Sequence, residues 1–335
     1  MNFKRVMVLA SNSFTGSHFI RHLLEKTDAE IIGVSRSAEY NPVFLPYRYR
    51  QPSPPLFKFY QIDLNNDFKR FASLADDFQP EVVANYAAQG EVRSSWNWPE
   101  QWYQTNCLAV VRVAEHFKNK DYLKKYIACS TPEVYGATGD NIKESHCYYP
   151  STPYAASKLA GDLHLFALHK RYGFPVVFSR TANVYGIHQQ LYRIIPRAII
   201  FLKAGKKITL HGRGAARRAF IHARDVADFT ARLAGRGTPD EIYHLAPREG
   251  LMRIVDVVRK ICDIMGHGFE DSVEMIDENF GQDSQYSLDS SKAQRELGWK
   301  QEIAFEEGLQ ETIAWISDNW DFIKTQPLEY KHIAS

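Results

Sequence analysis

Short apolar, β-branched runs alternate with helical patterns through the first half of the chain, and that rhythm limits the fold more than any other feature. Val6–Leu9, Ile31–Val34, Lys58–Gln61, Val82–Asn85 and Tyr126–Cys129 read as strands. Ser17–Lys26 reads as a helix with Phe19, Ile20, Leu23 and Leu24 on one face. Longer helical patterns cover Thr105–Phe117 and Tyr154–Tyr172, and Val176–Ser179 follows as a further strand. Strand-helix-strand order of this kind predicts a doubly wound parallel α/β sheet. The strands carry no polar alternation, as expected where helices cover both faces.

After Gly186 the rhythm changes. Helical patterns at Ile194–Lys203, Asp225–Leu233 and Val255–Met265 alternate with short strands at Ile208–Leu210 and Ile242–Leu245. We read residues 1–184 and 215–247 as the sheet domain, and 185–214 with 248–335 as a smaller mixed lobe. A chain of 335 residues suits two such lobes at roughly 150 residues per domain. Pro42–Pro55 holds five prolines and reads as an ordered loop. The formal charge of +2 lacks the broad basic footprint of a nucleic-acid binder. No stretch approaches the roughly 20 apolar residues that cross a bilayer, and MNFKRVMVLASNSF is too little for a signal peptide. Four widely spaced cysteines and 12 histidines show neither a disulfide framework nor metal-ligand spacing. A cytoplasmic enzyme with no nucleic-acid or membrane partner and no metal is the expectation.

Three segments point to chemistry. The first strand-to-helix turn, Ala10-Ser11-Asn12-Ser13-Phe14-Thr15-Gly16, has small residues at the spacing of a dinucleotide-binding turn, where backbone approaches a pyrophosphate. Only Gly16 is glycine, so an ordinary small-residue turn accounts for it equally well. The second strand ends in Ser35-Arg36 with no acid, which suits the 2′-phosphate of NADP or a solvated surface arginine. Tyr154 and Lys158 form the one Tyr-x-x-x-Lys pair among 18 tyrosines. Residues four apart share a helix face, and a neighbouring ammonium would lower the phenol's pKa of about 10 and prepare it to take a proton from an alcohol. Cys129 reads as a small filler, His222 as a strand residue behind Arg218, and Trp96–Tyr103 as a packed helix start.

With these segments in view, the sequence resembles the extended short-chain dehydrogenase/reductases, and among them the nucleotide-sugar epimerase/dehydratase family. The likeness runs through Asp63-Leu64, Asn85-Tyr86-Ala87-Ala88-Gln89, Thr105-Asn106 and Cys129-Ser130-Thr131-Pro132-Glu133-Val134-Tyr135-Gly136. It continues through Pro153–Lys158, Arg180–Gly186, Arg218–His222 and Lys292 to Leu297-Gly298-Trp299. Epimerases at C4 usually carry a small residue where this chain has Glu133, whereas 4,6-dehydratases and glucuronate decarboxylases carry Glu. Asn183–Pro196 is most similar to dTDP-glucose 4,6-dehydratase, while Ala87–Gln89 and Arg36 lean toward GDP-mannose 4,6-dehydratase.

The resemblance implies a Rossmann-type fold and a nucleotide-hexose 4,6-dehydratase that holds NAD(P), with NADP favoured over NAD. Its implied catalytic set is Thr131, Glu133, Tyr154 and Lys158. Ala10, Ser13, Phe14, Thr15, Gly16, Ser35, Arg36, Asp63, Leu64, Ala87, Ala88, Tyr154 and Lys158 would hold the cofactor. Glu91, Asn183, Arg193 and Arg218 would hold a nucleotide-diphospho-sugar. A homodimer is implied, built on the Thr105–Phe117 and Tyr154–Tyr172 helices with Val110, Val111, Ala114, Leu163, Phe166 and Ala167 as the apolar seam. Three departures stand out. Pro132 replaces the acid that precedes the glutamate in the dTDP-glucose enzymes, Gly90-Glu91 replaces a Ser-His pair, and Gly281–Tyr286 lacks the usual arginine. A decarboxylase or epimerase, or a sugar-nucleotide sensor without catalysis, are the alternative readings.

Overall fold

Uniformly apolar strands can be satisfied only inside a sheet covered on both faces, and that is what they form. The computed structural model describes residues 3–50, 55–137, 139, 141–277 and 287–334. Residues 51–54 of the proline-rich loop and the whole Gly281–Tyr286 stretch lie outside the described residues. In chain order the elements begin β1 (Arg5–Leu9), α1 (Phe14–Lys26), β2 (Glu30–Ser35), β3 (Phe57–Gln61), α2 (Phe68–Phe78) and β4 (Val82–Asn85). Next come α3 (Pro99–Tyr103), α4 (Ala109–Phe117), β5 (Lys125–Cys129), α5 (Pro153–Tyr172) and β6 (Val176–Thr181). The second half holds β7 (Asn183–Tyr185), α6 (Ile194–Lys203), β8 (Ile208–His211), β9 (Arg217–Arg218), β10 (Phe220–His222), α7 (Ala223–Arg236) and β11 (Ile242–Leu245). It ends with β12 (Met252–Arg253), α8 (Ile254–Met265), α9 (Phe269–Ser272), β13 (Val273–Ile276), α10 (Ser291–Leu297), α11 (Phe305–Asp318) and α12 (Trp320–Ile323).

Seven parallel strands make one sheet in the order β11-β6-β5-β4-β1-β2-β3. This is the Rossmann-type order, and it reverses direction between β1 and β4. Val6 and Val8 face the core layer that includes Phe19 and Phe229, whereas Met7 and Leu9 face the layer that includes Val113 and Leu165. A third core joins α6, α8 and α11 of the second half through Ile199, Val258 and Leu309. The parallel pair β7–β10 lies outside the main sheet, with Ile221 paired to Val184.

The helical pattern read as Thr105–Phe117 starts earlier, at Pro99, and passes through a π-helical stretch at Gln104–Leu108. There Asn106 turns inward and exchanges hydrogen bonds with the backbone of Gln89 at 2.8 and 3.1 Å, and donates to Ser157 at 3.0 Å. Gly161 on α5 permits this contact, because a Cβ there would stand 2.5 Å from the Asn106 carbonyl. The expected apolar seam is only partly external. Val110 and Ala114 belong to the core beneath the helices, while Leu108 and Leu163 stand 47% and 50% exposed on the outer face.

Candidate active site

In an open parallel sheet the crevice at the carboxyl ends of the strands, at the point of reversal, is where ligands lie. Two adjoining cavities occupy that position here. The smaller, about 410 Å3, runs along the ends of β1, β2 and β4 and is lined by Ala10, Ser13, Ser35, Arg36, Asp63, Leu64, Ala87 and Ala88. The larger, about 680 Å3, opens toward the second half and is lined by Thr131, Glu133, Tyr154, Asn183, Arg193, Arg218 and Glu91. Ser13, Ala88, Glu91 and Arg193 border both.

The turn after β1 is built for close approach. Ala10 adopts a left-handed φ of 56°, and its carbonyl accepts from the Ser13 amide at 2.9 Å. Ser13 caps α1, accepting from the Gly16 amide at 3.2 Å. Gly16 lines neither cavity; a Cβ there would meet the Ala10 carbonyl at 2.5 Å, so its work is to let helix lie against turn. Phe14 and Thr15 border the larger cavity rather than the smaller. A cleft lined by Asn12 and Ser13 at a helix N-terminus and by the small residues Ala10, Ala87 and Ala88 fits a dinucleotide. Asn12 also belongs here: its amide donates to the Ser37 and Ala38 carbonyls at 3.2 and 2.9 Å, fixing the loop after β2. The Arg36 guanidinium donates to the Ala334 carbonyl at 3.2 Å.

The candidate catalytic residues sit on the wall between β5 and α5. Thr131 is extended and caps a 3-10 turn, Pro132–Tyr135, accepting from the Glu133 amide at 3.2 Å. The segment is thus not extended through Glu133 as alternation along a strand would require, because Pro132 at the first position starts a turn. Thr131 and Glu133 nevertheless reach the same cavity. The Thr131 hydroxyl hydrogen-bonds the Tyr154 phenol.

Burial holds the Tyr154 phenol above its usual pKa, the Glu133 charge adds to this, and the Thr131 hydrogen bond and the Arg193 charge oppose it. The lowering expected from Lys158 is therefore not the net result. Lys158 is buried, donates to the Cys129 carbonyl at 2.9 Å and lines neither cavity. Its own pKa is pushed down by burial and raised by Asp162 one turn further along α5. The Asp162 carboxylate accepts from the Ser130 hydroxyl and lies 3.5 Å from Arg180, which has no exposed surface. The Arg180 guanidinium stacks over the Tyr135 and Tyr148 rings at 4.5 and 4.9 Å.

A family model described as GDP-mannose 4,6 dehydratase matches residues 12–312. The chain belongs to the GDP-mannose 4,6-dehydratase family. A Streptomyces antibioticus dTDP-glucose 4,6-dehydratase is 30% identical, over 96% of this chain and 96% of its own length. The dTDP-glucose 4,6-dehydratase of Streptomyces venezuelae, solved with NAD and TYD bound, superposes with a TM-score of 0.86 at 27% identity, covering 95% of this chain and 98% of that one. An Arabidopsis thaliana trifunctional UDP-glucose 4,6-dehydratase/epimerase/reductase is 26% identical over 94% of this chain, which spans only 47% of that relative.

Against this family background, the sequence motifs converge in space. Of the cofactor residues named from the sequence, Ala10, Ser13, Ser35, Arg36, Asp63, Leu64, Ala87 and Ala88 line the smaller cavity, Phe14, Thr15 and Tyr154 border the larger, and Gly16 and Lys158 line neither. The four substrate residues line the larger one. Gln190, Tyr192 and Tyr330 border both cavities and were missed. Gln190 and Tyr192 stand inside a family-like stretch and were legible there, whereas Tyr330 lies in a segment with no periodic signal. Among the described residues no helix is long and apolar enough to cross a membrane.

Proposed function

We propose that this chain is a nucleotide-hexose 4,6-dehydratase, converting a nucleotide-diphospho-hexose to its 4-keto-6-deoxy form. The observation that carries the reading is Thr131, Glu133 and Tyr154 on one cavity that adjoins the smaller cleft at the strand ends. Tyr154, hydrogen-bonded to Thr131, takes the proton of the C4 hydroxyl. The dinucleotide supplies hydride uptake from C4 and its return to C6. Once C4 is a ketone the C5 proton is acidic, and the Glu133 carboxylate takes it as the C6 hydroxyl departs as water; Glu133 then returns a proton to C5. Pro132 has no proton to give, so assistance to the departing hydroxyl falls to Glu133 itself, a water or another hydroxyl. Arg193 and Arg218 line the same cavity and would hold the diphosphate, which an arginine fork binds bidentately.

Incubation with a panel of nucleotide sugars followed by mass spectrometry tests this. Loss of water is expected. Loss of carbon dioxide would make the chain a decarboxylase, unchanged mass with a new retention time an epimerase, and no turnover a sensor.

Three finer readings go with it. NADP is favoured over NAD, because Ser35 and Arg36 end β2 without a carboxylate to repel a 2′-phosphate; chromatography of the cofactor released on denaturation decides, and NAD alone would reject it. The chain pairs as a homodimer through the Thr105–Phe117 and Tyr154–Tyr172 helices, with Leu163 exposed on the outer face of α5 and Leu108 exposed just before α4; a monomer by light scattering at micromolar concentration would reject it. The lobes divide as residues 1–184 with 215–247 and 185–214 with 248–335. Cytoplasmic residence completes the proposal.

A further inference from the structure

The segment after α12 does not trail into solvent. At Leu328 it belongs to the second half: the side chain packs on that half's core and the carbonyl accepts from Arg197 of α6 at 3.3 Å. Five residues later it has crossed to the sheet domain. The Ile333 carbonyl accepts from Gln89 at 3.2 Å, just after β4, and the Ala334 carbonyl accepts from Arg36 at the end of β2. Between these anchors Tyr330 borders both cavities, and Lys331 and Ile333 border the smaller one. The crossing thus passes over the junction of the two cavities.

What fixes it there is His332. Its ring lies between two indoles, 4.7 Å from Trp98 at an interplanar angle of 8° and 5.1 Å from Trp102 at 16°. One ring nitrogen is 2.6 Å from the Gln101 side-chain oxygen. Trp102 is fully buried, so the clamp has a rigid floor. Tyr330 is set by its ring contact with Tyr192 at 5.5 Å. None of these groups carries out the chemistry proposed above, yet together they hold a peptide across the entrance to the cofactor cleft.

We propose that residues 328–334 form a strap that retains the nicotinamide dinucleotide, with His332 in the Trp98/Trp102 clamp as its latch. This rests on the dehydratase reading, in which one cofactor molecule must take up a hydride and return it to the same sugar. Release between the two transfers would strand a ketone intermediate, so slow release is a requirement of that cycle.

The test measures release of NADH directly. The full-length protein is loaded with NADH, an excess of NAD is added, and the decay of bound-nicotinamide fluorescence gives the rate. Loss of one stacked ring from the clamp predicts release about three- to tenfold faster in His332→Ala and in Trp98→Ala. His332→Phe keeps an aromatic ring in the clamp and is expected to restore most of the slow release, which separates latching from loss of folding. Release at the unaltered rate in both alanine variants would overturn the strap. Slower release would also overturn it, since the segment would then be competing with the dinucleotide rather than holding it. If the unaltered protein binds NADPH in place of NADH, the same measurement is made with NADPH; failure to bind either would instead bring down the dinucleotide reading, and the strap with it.

Discussion

Glu133→Gln separates the two halves of the proposed reaction. The substitution keeps the size of the side chain and its place in the turn begun by Pro132, so the cavity wall formed with Thr131 and Tyr154 is preserved. Two consequences follow, in opposite directions. Elimination loses the base at C5, and a positioned general base contributes roughly 10²–10⁴-fold, so dehydrated product should form at least about a hundredfold more slowly. Oxidation at C4 should survive. The Glu133 charge is, after burial, the main influence holding the Tyr154 phenol above its usual pKa. Its removal lowers that pKa, and the alkaline-activated limb of the oxidation profile should move to lower pH. A single-turnover reaction followed by nicotinamide absorbance and by product mass reads both effects in one sample. Reduced nicotinamide should accumulate with a ketone of unchanged carbon skeleton and no loss of water. Elimination at the unaltered rate would refute Glu133 as the C5 base, and an oxidation profile that shifts upward would refute the electrostatic argument.

Other expectations concern stability and the turn. Burial pushes His188 down to about 4, and His222 and His244 to about 3, so all three are neutral in the folded chain. Because the unfolded chain takes up their protons near pH 6.5, stability should fall as pH drops from about 6.5 toward 4, each histidine adding up to about 1.4 kcal/mol per unit. Asp225, raised to about 6 chiefly by burial, acts in the opposite sense, its contribution falling as pH rises from about 4 to 6. Urea titrations across that range check the slope, and a flat profile would contradict the neutral histidines. Arg180→Leu leaves the buried Asp162 carboxylate without its arginine and should cost about 3–5 kcal/mol by urea denaturation; a loss below about 1 kcal/mol would mean the pair is not coupled as described. Gly16→Ala forces a methyl against the Ala10 carbonyl, and about 1–3 kcal/mol of destabilisation with weaker NADH binding is expected; unchanged binding by fluorescence titration would count against the turn's role.

The parallel sheet was legible because most of its strands are short apolar runs set among helical periodicities; Val82–Asn85 and Ile242–Leu245 appear with the bounds read from the sequence. Helix starts were less so. α1 begins at Phe14 rather than Ser17, since Ser13 supplies the cap from within a turn whose other residues carry no helical pattern. At the site, the motif Tyr154/Lys158 was plain, but what each side chain faces depends on partners far away in sequence. The Cys129 carbonyl at the end of β5 draws the lysine inward, and Glu133 acts on the phenol. Spacing cannot encode either effect. Val110 and Ala114 illustrate the same limit: a helix's apolar stripe says that something covers it, and here the sheet does.

The π-helical stretch at Gln104–Leu108 has a mechanical consequence. By turning Asn106 toward both the Gln89 backbone and Ser157, it ties the loop after β4 to the first turns of α5, the helix that carries Tyr154 and Lys158. Close contact at Gly161 leaves that joint no slack. The loop that floors the smaller cleft and the helix that carries the Tyr154 phenol are therefore joined directly. On the dehydratase reading, breathing that admits a sugar nucleotide is expected at the opposite bank, where Asn183, Arg193 and Arg218 stand. On that reading, widening of the entrance would leave undisturbed the alignment on which the two proposed hydride transfers depend.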